Sequence, residues 1–274
     1  MATGDIAQQW PQLRVFEATD GRAVDLRTDM RVGLRTRVDM LKGRIRRNHQ
    51  DISSYGAIGQ YLTQYKMYET FLANSTAPYA ILFEDDAVPP RALRRKVESL
   101  LAEELPPPEH FDFWLFGVLA IWSSVPVNAS DGLRGTDASL ARWRKVGSFI
   151  GIQAYLVTRR GAARAQEGAW PISQLSDAHL GSLAELGRLT ILYRGSDDPE
   201  LNVPQRSGLD SSIKHTNCPL CELPADFSVT AHARWHLLYG ATLAAAAWAA
   251  LYRSASARDW LIAYLIRRYG VVNE

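Results

Sequence analysis

The sequence predicts an α/β sandwich with a C-terminal helical extension. The apolar run Tyr79–Phe83 has the length and composition of a short buried strand, and it ends in Glu84, Asp85 and Asp86. An amphipathic helix is predicted directly afterwards, over residues 91–104. Strands alternate with helices along much of the chain, which is typical of a mostly parallel sheet covered by helices. Such sheets bind ligands beyond the carboxyl ends of their strands, so the three acids are the first candidate site.

The other elements follow from hydrophobic periodicity. Residues 56–74 are predicted to form a helix that turns Ile58, Leu62, Tyr65 and Leu72 towards the core. The remaining predicted strands are residues 14–18, 111–117, 149–158 and 189–193, and the remaining predicted helices of the sandwich are residues 160–167 and 175–187. Residues 123–140 are rich in Ser, Gly, Asp and Asn and are predicted to form a loop.

Composition excludes several classes of protein. The 274 residues fit one large domain or one domain with an appendage, and 47% hydrophobic with 22% charged residues is ordinary for a globular protein. A net charge of +2 argues against a general nucleic-acid binder. Two cysteines exclude a disulfide scaffold, and residues 1–20 lack the apolar core of a signal peptide. A cytoplasmic location is therefore the default expectation.

One segment is locally basic. Residues 31–49 contain a single acid, Asp39, among seven basic side chains: Arg31, Arg35, Arg37, Lys42, Arg44, Arg46 and Arg47. Such a run is typical of a solvated helix face. The functional alternative is attraction of a diphosphate or of an acidic surface.

The acidic turn after Tyr79–Phe83 predicts a metal site. Neighbouring carboxylates raise one another's pKa values unless a cation lies among them. Magnesium and manganese favour carboxylate oxygens, and a metal at the end of a strand often serves a phosphate. The alternative is a solvated turn with acidic residues.

Six blocks occur in order over about residues 14–215. They are Phe16-Glu17-Ala18-Thr19-Asp20-Gly21, Gly56-Ala57-Ile58-Gly59-Gln60-Tyr61-Leu62-Thr63-Gln64, Ala80-Ile81-Leu82-Phe83-Glu84-Asp85-Asp86-Ala87, Phe111-Asp112-Phe113-Trp114-Leu115, the run from Gly151 to Ala162, and Pro204-Gln205 with Ser211-Ser212-Ile213. Together they resemble glycosyltransferase family 25, which includes lipopolysaccharide-assembling and collagen galactosyltransferases.

This resemblance implies a GT-A-like, Rossmann-type α/β/α sandwich and an inverting sugar transfer. The donor would be a nucleotide-sugar, a UDP-hexose by resemblance, and the acceptor a hydroxyl on a glycan or protein. The resemblance assigns manganese or magnesium to Glu84 and Asp86, with Asp86 the first choice for direct ligation. Asp85 and Asp20 complete the implied donor-binding residues.

Two departures from the family pattern favour a different function. The family's opening strand, of the type Ile-Asn-Leu-x-x-Arg, has no counterpart ahead of the first block. In the second block Gln60 and Gln64 stand where the family has Cys and His, and Thr63 replaces Ser. The alternative is a catalytically degenerate protein of this fold that acts as a binding or scaffold subunit.

A second carboxylate, Asp177, follows the Ala-Tyr strand at the position where the family carries an acid of the catalytic region. A carboxylate within reach of the acceptor hydroxyl can act as general base. The alternatives are that Asp177 caps a helix, since Ser and Asp favour that position, or that His179 is the base. If His179 is not the base, we expect it to be a surface histidine.

The C-terminal region holds a separate candidate site. Cys218, Cys221, His232 and His236 have the residue types and spacing of a structural zinc site. The alternative is a reduced or disulfide-linked Cys-x-x-Cys motif with unrelated histidines. If this zinc site forms, a zinc-stabilised interaction module is a third hypothesis for function.

The chain is expected to divide into a transferase domain, residues 1–217, and a helical extension, residues 218–274. Residues 237–252 are alanine-rich and too short for a membrane span, and residues 258–269 form a second predicted helix. We expect a helical hairpin packed on the main domain. The alternative is a peripheral membrane contact through the second helix.

Overall fold

The computed structural model describes residues 10–41, 50–52, 54–105, 107–108, 110–134, 136–194 and 198–206. The strands in these ranges are β1 (Tyr79–Phe83), β2 (Phe113–Ile121), β3 (Ser124–Pro126), β4 (Trp143–Val146), β5 (Phe149–Thr158) and β6 (Ile191–Arg194). The α-helices are α1 (Leu34–Leu41), α2 (Tyr55–Asn74), α3 (Leu93–Glu103), α4 (Asp137–Leu140), α5 (Arg159–Gln166) and α6 (Ser176–Glu185).

The six strands form one mixed sheet in the order β1-β5-β2-β6-β4-β3. Only the neighbours β2 and β6 are parallel, so the prediction of a mostly parallel sheet is wrong. The strands β1, β2 and β6 do share one direction. The sheet is mixed because β5 runs in the opposite direction between β1 and β2, and β4 does the same beside β6.

Hydrophobic cores cover both faces of the sheet, as expected for strands buried between two layers. Phe113 and Leu115 of β2 pack in one core with residues of α2, α5 and α6. Trp114 and Phe116, which alternate with them along the strand, pack in the other core with residues of α3. The predicted α/β class is therefore confirmed.

Most predicted elements lie within a few residues of the observed ones, and Ile58, Leu62 and Tyr65 are buried as expected. The predicted strand over residues 14–18 is wrong, because that segment has no sheet partner among the described residues. The predicted loop over residues 123–140 is partly wrong, since it contains β3 and α4.

The predicted C-terminal extension lies outside the described residues. This holds for the proposed boundary at residue 217 and for the helices over residues 237–252 and 258–269. In the part of the chain that the structure describes, no helix has the length and apolarity required to traverse a membrane.

A buried acid joins the start of β2 to α5. Asp112 is fully buried and accepts hydrogen bonds from the Arg160 side chain at 2.8 Å, from the Arg164 side chain at 3.3 Å and from the Thr190 backbone N–H at 2.7 Å. The fourth block, Phe111-Asp112, thus has a structural role here.

We expect Asp112→Ala to lower the free energy of unfolding by about 3 kcal/mol, because it leaves a buried N–H and two arginines without their acceptor. Urea unfolding measures this. The control Glu98→Ala, which breaks an exposed i,i+4 pair with Arg94, should cost less than about 0.5 kcal/mol. Equal losses in the two variants would contradict the structural role of Asp112.

Candidate active site

The acidic turn begins where β1 ends and is held by backbone hydrogen bonds on two sides. The Glu84 N–H donates to the Gln153 carbonyl oxygen of β5 at 2.9 Å. Ala87 forms an isolated antiparallel bridge with Gln205. The Val88 N–H donates to the Pro204 carbonyl oxygen at 2.9 Å. The turn is therefore fixed between the edge of the sheet and the residues around position 205.

The three acids of this turn differ in exposure. Asp85 is exposed, whereas Glu84 and Asp86 are half-buried. Burial, together with the negative charges of Asp86, Asp177 and Asp85, raises the pKa of Glu84 from 4.5 to about 8. Asp177 is 93 residues away in sequence (177 − 84) but close enough for its charge to act on Glu84. The two carboxylate centres that the sequence predicts separately therefore belong to one electrostatic cluster.

Asp86 is held by the last described segment of the chain. The Gln205 side-chain amide donates to Asp86 Oδ2, and the Arg206 N–H donates to the Asp86 carbonyl oxygen at 2.8 Å. The second carboxylate oxygen, Oδ1, is buried and has no hydrogen-bond partner among the described residues. A buried anionic oxygen in this state is costly, so it favours a cation or a proton donor at this point.

Asp177 lies in the first turn of α6 and is almost fully buried. Its Oδ1 accepts from the Ala178 N–H at 2.8 Å and its Oδ2 from the Gly151 N–H at 2.7 Å. Leu175 occupies the cap position of this helix, so the interpretation of Asp177 as a helix cap is wrong. The carboxylate instead ties α6 to β5.

Gly151 is required at this contact. Its φ of +71° is a conformation that side chains disfavour, and an added Cβ would lie 2.6 Å from Leu119 Cγ. Only a glycine therefore lets this part of β5 present its N–H to Asp177.

His179 is buried, so the interpretation of it as a surface histidine is wrong. Its ring centroid lies 6.2 Å from that of Tyr61 and 6.0 Å from that of Tyr65. Burial lowers the pKa of His179, which keeps the ring neutral at neutral pH. Its role as a base remains a prediction.

Asp20 lies beside the start of α2. Its carboxylate is exposed and accepts from the Arg22 N–H at 2.9 Å. The next residue, Gly21, packs so closely on the helix that an added Cβ would lie 1.9 Å from the Tyr55 carbonyl oxygen. The first two blocks are thus in contact, and donor binding by Asp20 stays a prediction.

In the basic segment, the described arginines have local partners. Arg31 pairs with Asp29 at 2.7 Å, Arg35 lies 3.7 Å from Asp51, and the Arg37 side chain donates to the Arg27 carbonyl oxygen at 3.4 Å. These contacts favour the solvated interpretation for this part of the segment. Lys42, Arg44, Arg46 and Arg47 lie outside the described residues.

Among the described residues, no group of three or more His, Cys, Asp or Glu side chains could by itself hold a metal ion. Glu84 and Asp86 nevertheless fit a divalent cation, because magnesium is commonly bound by one or two carboxylates plus substrate phosphates and water. The orphaned Asp86 Oδ1 supports this fit. The predicted zinc ligands Cys218, Cys221, His232 and His236 lie outside the described residues.

Sequence reasoning missed several residues of the site. Gly151 and Gln205 belong to the family-like blocks, but their contacts with Asp177 and Asp86 depend on the fold. Gln60 and Gln64 depart from the family pattern, and their side chains bond to each other at 3.3 Å. Their i,i+4 spacing on a predicted helix was the available signal.

The comparisons with known proteins give no family. No protein-family model, curated protein or solved structure matches this chain. The resemblance to glycosyltransferase family 25 rests on the six blocks alone.

Proposed function

We propose that this chain is a metal-dependent, inverting glycosyltransferase of the GT-A type that transfers a hexose from a UDP-sugar to an acceptor hydroxyl, in the cytoplasm. The observation that carries the proposal is that the charge of Asp177 acts on Glu84, together with the charges of Asp85 and Asp86. An inverting transfer needs one acidic centre for the leaving diphosphate and another for the acceptor proton. Two electrostatically coupled carboxylate centres could supply both.

In the proposed reaction the acceptor oxygen attacks the anomeric carbon, and the bond from that carbon to the diphosphate breaks. The acceptor proton passes to the Asp177 carboxylate, and the electron pair of the broken bond leaves with the UDP. Backbone N–H donors from Gly151 and Ala178 hold the Asp177 oxygens in place for this transfer. Glu84 and Asp86 would hold manganese or magnesium, which when bound neutralises the diphosphate charge as a Lewis acid.

The alternative function is a binding or scaffold subunit without donor chemistry. It is favoured by the absence, among the described residues, of a group of three metal-ligating side chains. It is also favoured by Gln60 and Gln64, which occupy positions where the family has Cys and His.

A thermal-shift experiment with UDP separates the two functions. If the proposal is right, UDP at about 100 times its dissociation constant raises Tm by roughly 5 °C with manganese present, and by much less without it. Asp86→Asn should remove the manganese dependence. Failure of UDP to stabilise the protein with or without manganese would support the scaffold function and overturn the transferase.

A further inference from the structure

A continuous chain of side-chain hydrogen bonds crosses the core. Ser176 Oγ donates to Gln60 Oε1 at 2.9 Å, and Gln60 Nε2 donates to Gln64 Oε1 at 3.3 Å. Gln64 Nε2 then donates to the Tyr68 hydroxyl at 2.6 Å, which lies 3.0 Å from the Tyr155 hydroxyl. The chain joins α6, α2 and β5, which are distant in sequence.

One end of this chain adjoins Asp177 in sequence, and the other end lies on the strand that pairs with β1, just before the acidic turn. Ser176 is the first residue of α6 and directly precedes Asp177. At the other end Tyr155 pairs with Leu82 of β1. Since side chains alternate along a strand, Tyr155, Leu82 and the position of Glu84 share one face.

The first three donors in this chain, from Ser176, Gln60 and Gln64, point the same way. Tyr68 accepts from Gln64, and in the last link either tyrosine hydroxyl can donate to the other. Gln64, Ser176, Tyr68 and Tyr155 are buried, so each broken link leaves a polar group without a partner.

We propose that Gln60 and Gln64 are positioning residues that hold Ser176, and through it Asp177, at a fixed place relative to the acidic turn. Their side-chain hydrogen bonds reach Ser176 on one side and the two tyrosines on the other. A cysteine or a histidine at these helix positions could not repeat the end-to-end amide pair. The catalytic part of the inference rests on the proposed transferase function. The part that concerns the position of Asp177 does not depend on that function.

Amide hydrogen exchange tests the position of Asp177 without any substrate. The Gly151 and Ala178 N–H groups both donate to Asp177, so their exchange reports how firmly that carboxylate is held. In the full-length protein, Gln60→Leu and Ser176→Ala should each speed exchange at Gly151 by about tenfold or more. The double variant should be no faster than the faster single, because both changes break the same link.

The matched control is Gln166→Leu on α5. The Gln166 side chain donates to the Ala162 carbonyl oxygen of its own helix, so exchange at Gly151 should stay within about twofold of the unchanged protein. Ser176→Ala removes a single oxygen atom and keeps the test open if Gln60→Leu does not fold. Unchanged exchange at Gly151 in folded Ser176→Ala, or additive effects in the double variant, would overturn the positioning role.

A kinetic readout addresses catalysis separately. With manganese and UDP-glucose or UDP-galactose as donor, Gln60→Leu should lower kcat for donor turnover about tenfold and leave KM within about twofold. An unchanged kcat would overturn the catalytic part of the inference. If the parent protein neither binds UDP nor turns over donor, the transferase function fails while the exchange result still decides where Asp177 is held.

Discussion

Asp177→Asn is expected to lower the rate of sugar transfer by about 10³-fold, which lies within the range that a positioned general base contributes. The amide cannot take up the acceptor proton. It also turns an NH₂ group towards one of the two N–H donors, from Gly151 or Ala178, which should cost about 1–2 kcal/mol of stability. The rate is measured with UDP-hexose, manganese and the acceptor identified by screening.

The matched control is Asp137→Asn. Asp137 is an exposed acid at the start of α4, so the same chemical change there should leave the rate within about twofold. Circular dichroism and urea unfolding check that both variants fold. Full activity in folded Asp177→Asn would remove Asp177 from the mechanism.

Glu84→Gln is expected to stabilise the metal-free protein at pH 8 by roughly 2–4 kcal/mol. Burial, together with the neighbouring acids, raises the pKa of Glu84 from 4.5 to about 8. Between pH 4.5 and 8 the folded state therefore binds more protons at this residue than the unfolded state, and stability falls as pH rises through that window. A neutral glutamine avoids this loss, and urea unfolding at pH 4 and pH 8 measures it.

Glu69→Gln is the control for this effect. Glu69 is an exposed acid on α2, and its neutralisation should change stability by less than about 0.5 kcal/mol at either pH. The same Glu84→Gln variant should lose the manganese-dependent stabilisation by UDP, because it removes a metal ligand. A stability gain together with lost ligand binding is the trade-off expected of a functional carboxylate. Equal stability of Glu84→Gln and the unchanged protein at pH 8 would contradict the unfavourable burial of this acid.

Local sequence patterns were enough to predict most of the helices and strands. The helix over residues 56–74 and the strand over residues 149–158 were predictable because each has a sustained period and clear ends; Ser54 caps the helix by accepting from the Ala57 N–H at 3.1 Å. The strand β4 was missed because its four residues are too few to show alternation. The directions of β4 and β5 depend on long-range pairing, which no local pattern encodes.

For the candidate site, too, the sequence predicted the residues but not their spatial arrangement. Glu84 and Asp86 were recognisable because they follow an apolar run, and Asp177 because the resemblance implies an acid of the catalytic region at its position. Their arrangement was not recognisable, since it requires Gly151 in a left-handed conformation and Gln205 beside Asp86. Burial of His179 likewise comes from packing against Tyr61 and Tyr65, which lie more than a hundred residues earlier in the chain.

The hydrogen bond from Gln205 to Asp86 joins residues that are 119 positions apart, and the bond between Ser176 and Gln60 joins residues that are 116 positions apart. Such pairings close large loops, and they form only after the intervening chain has been made. During synthesis on the ribosome, residues 79–83 emerge long before residues 205–206. Asp86 therefore cannot form its hydrogen bonds with Gln205 and Arg206 until most of the domain has been synthesised. Order at this turn is therefore a late event in biogenesis, and a spectroscopic label there would report completion of the domain rather than its beginning.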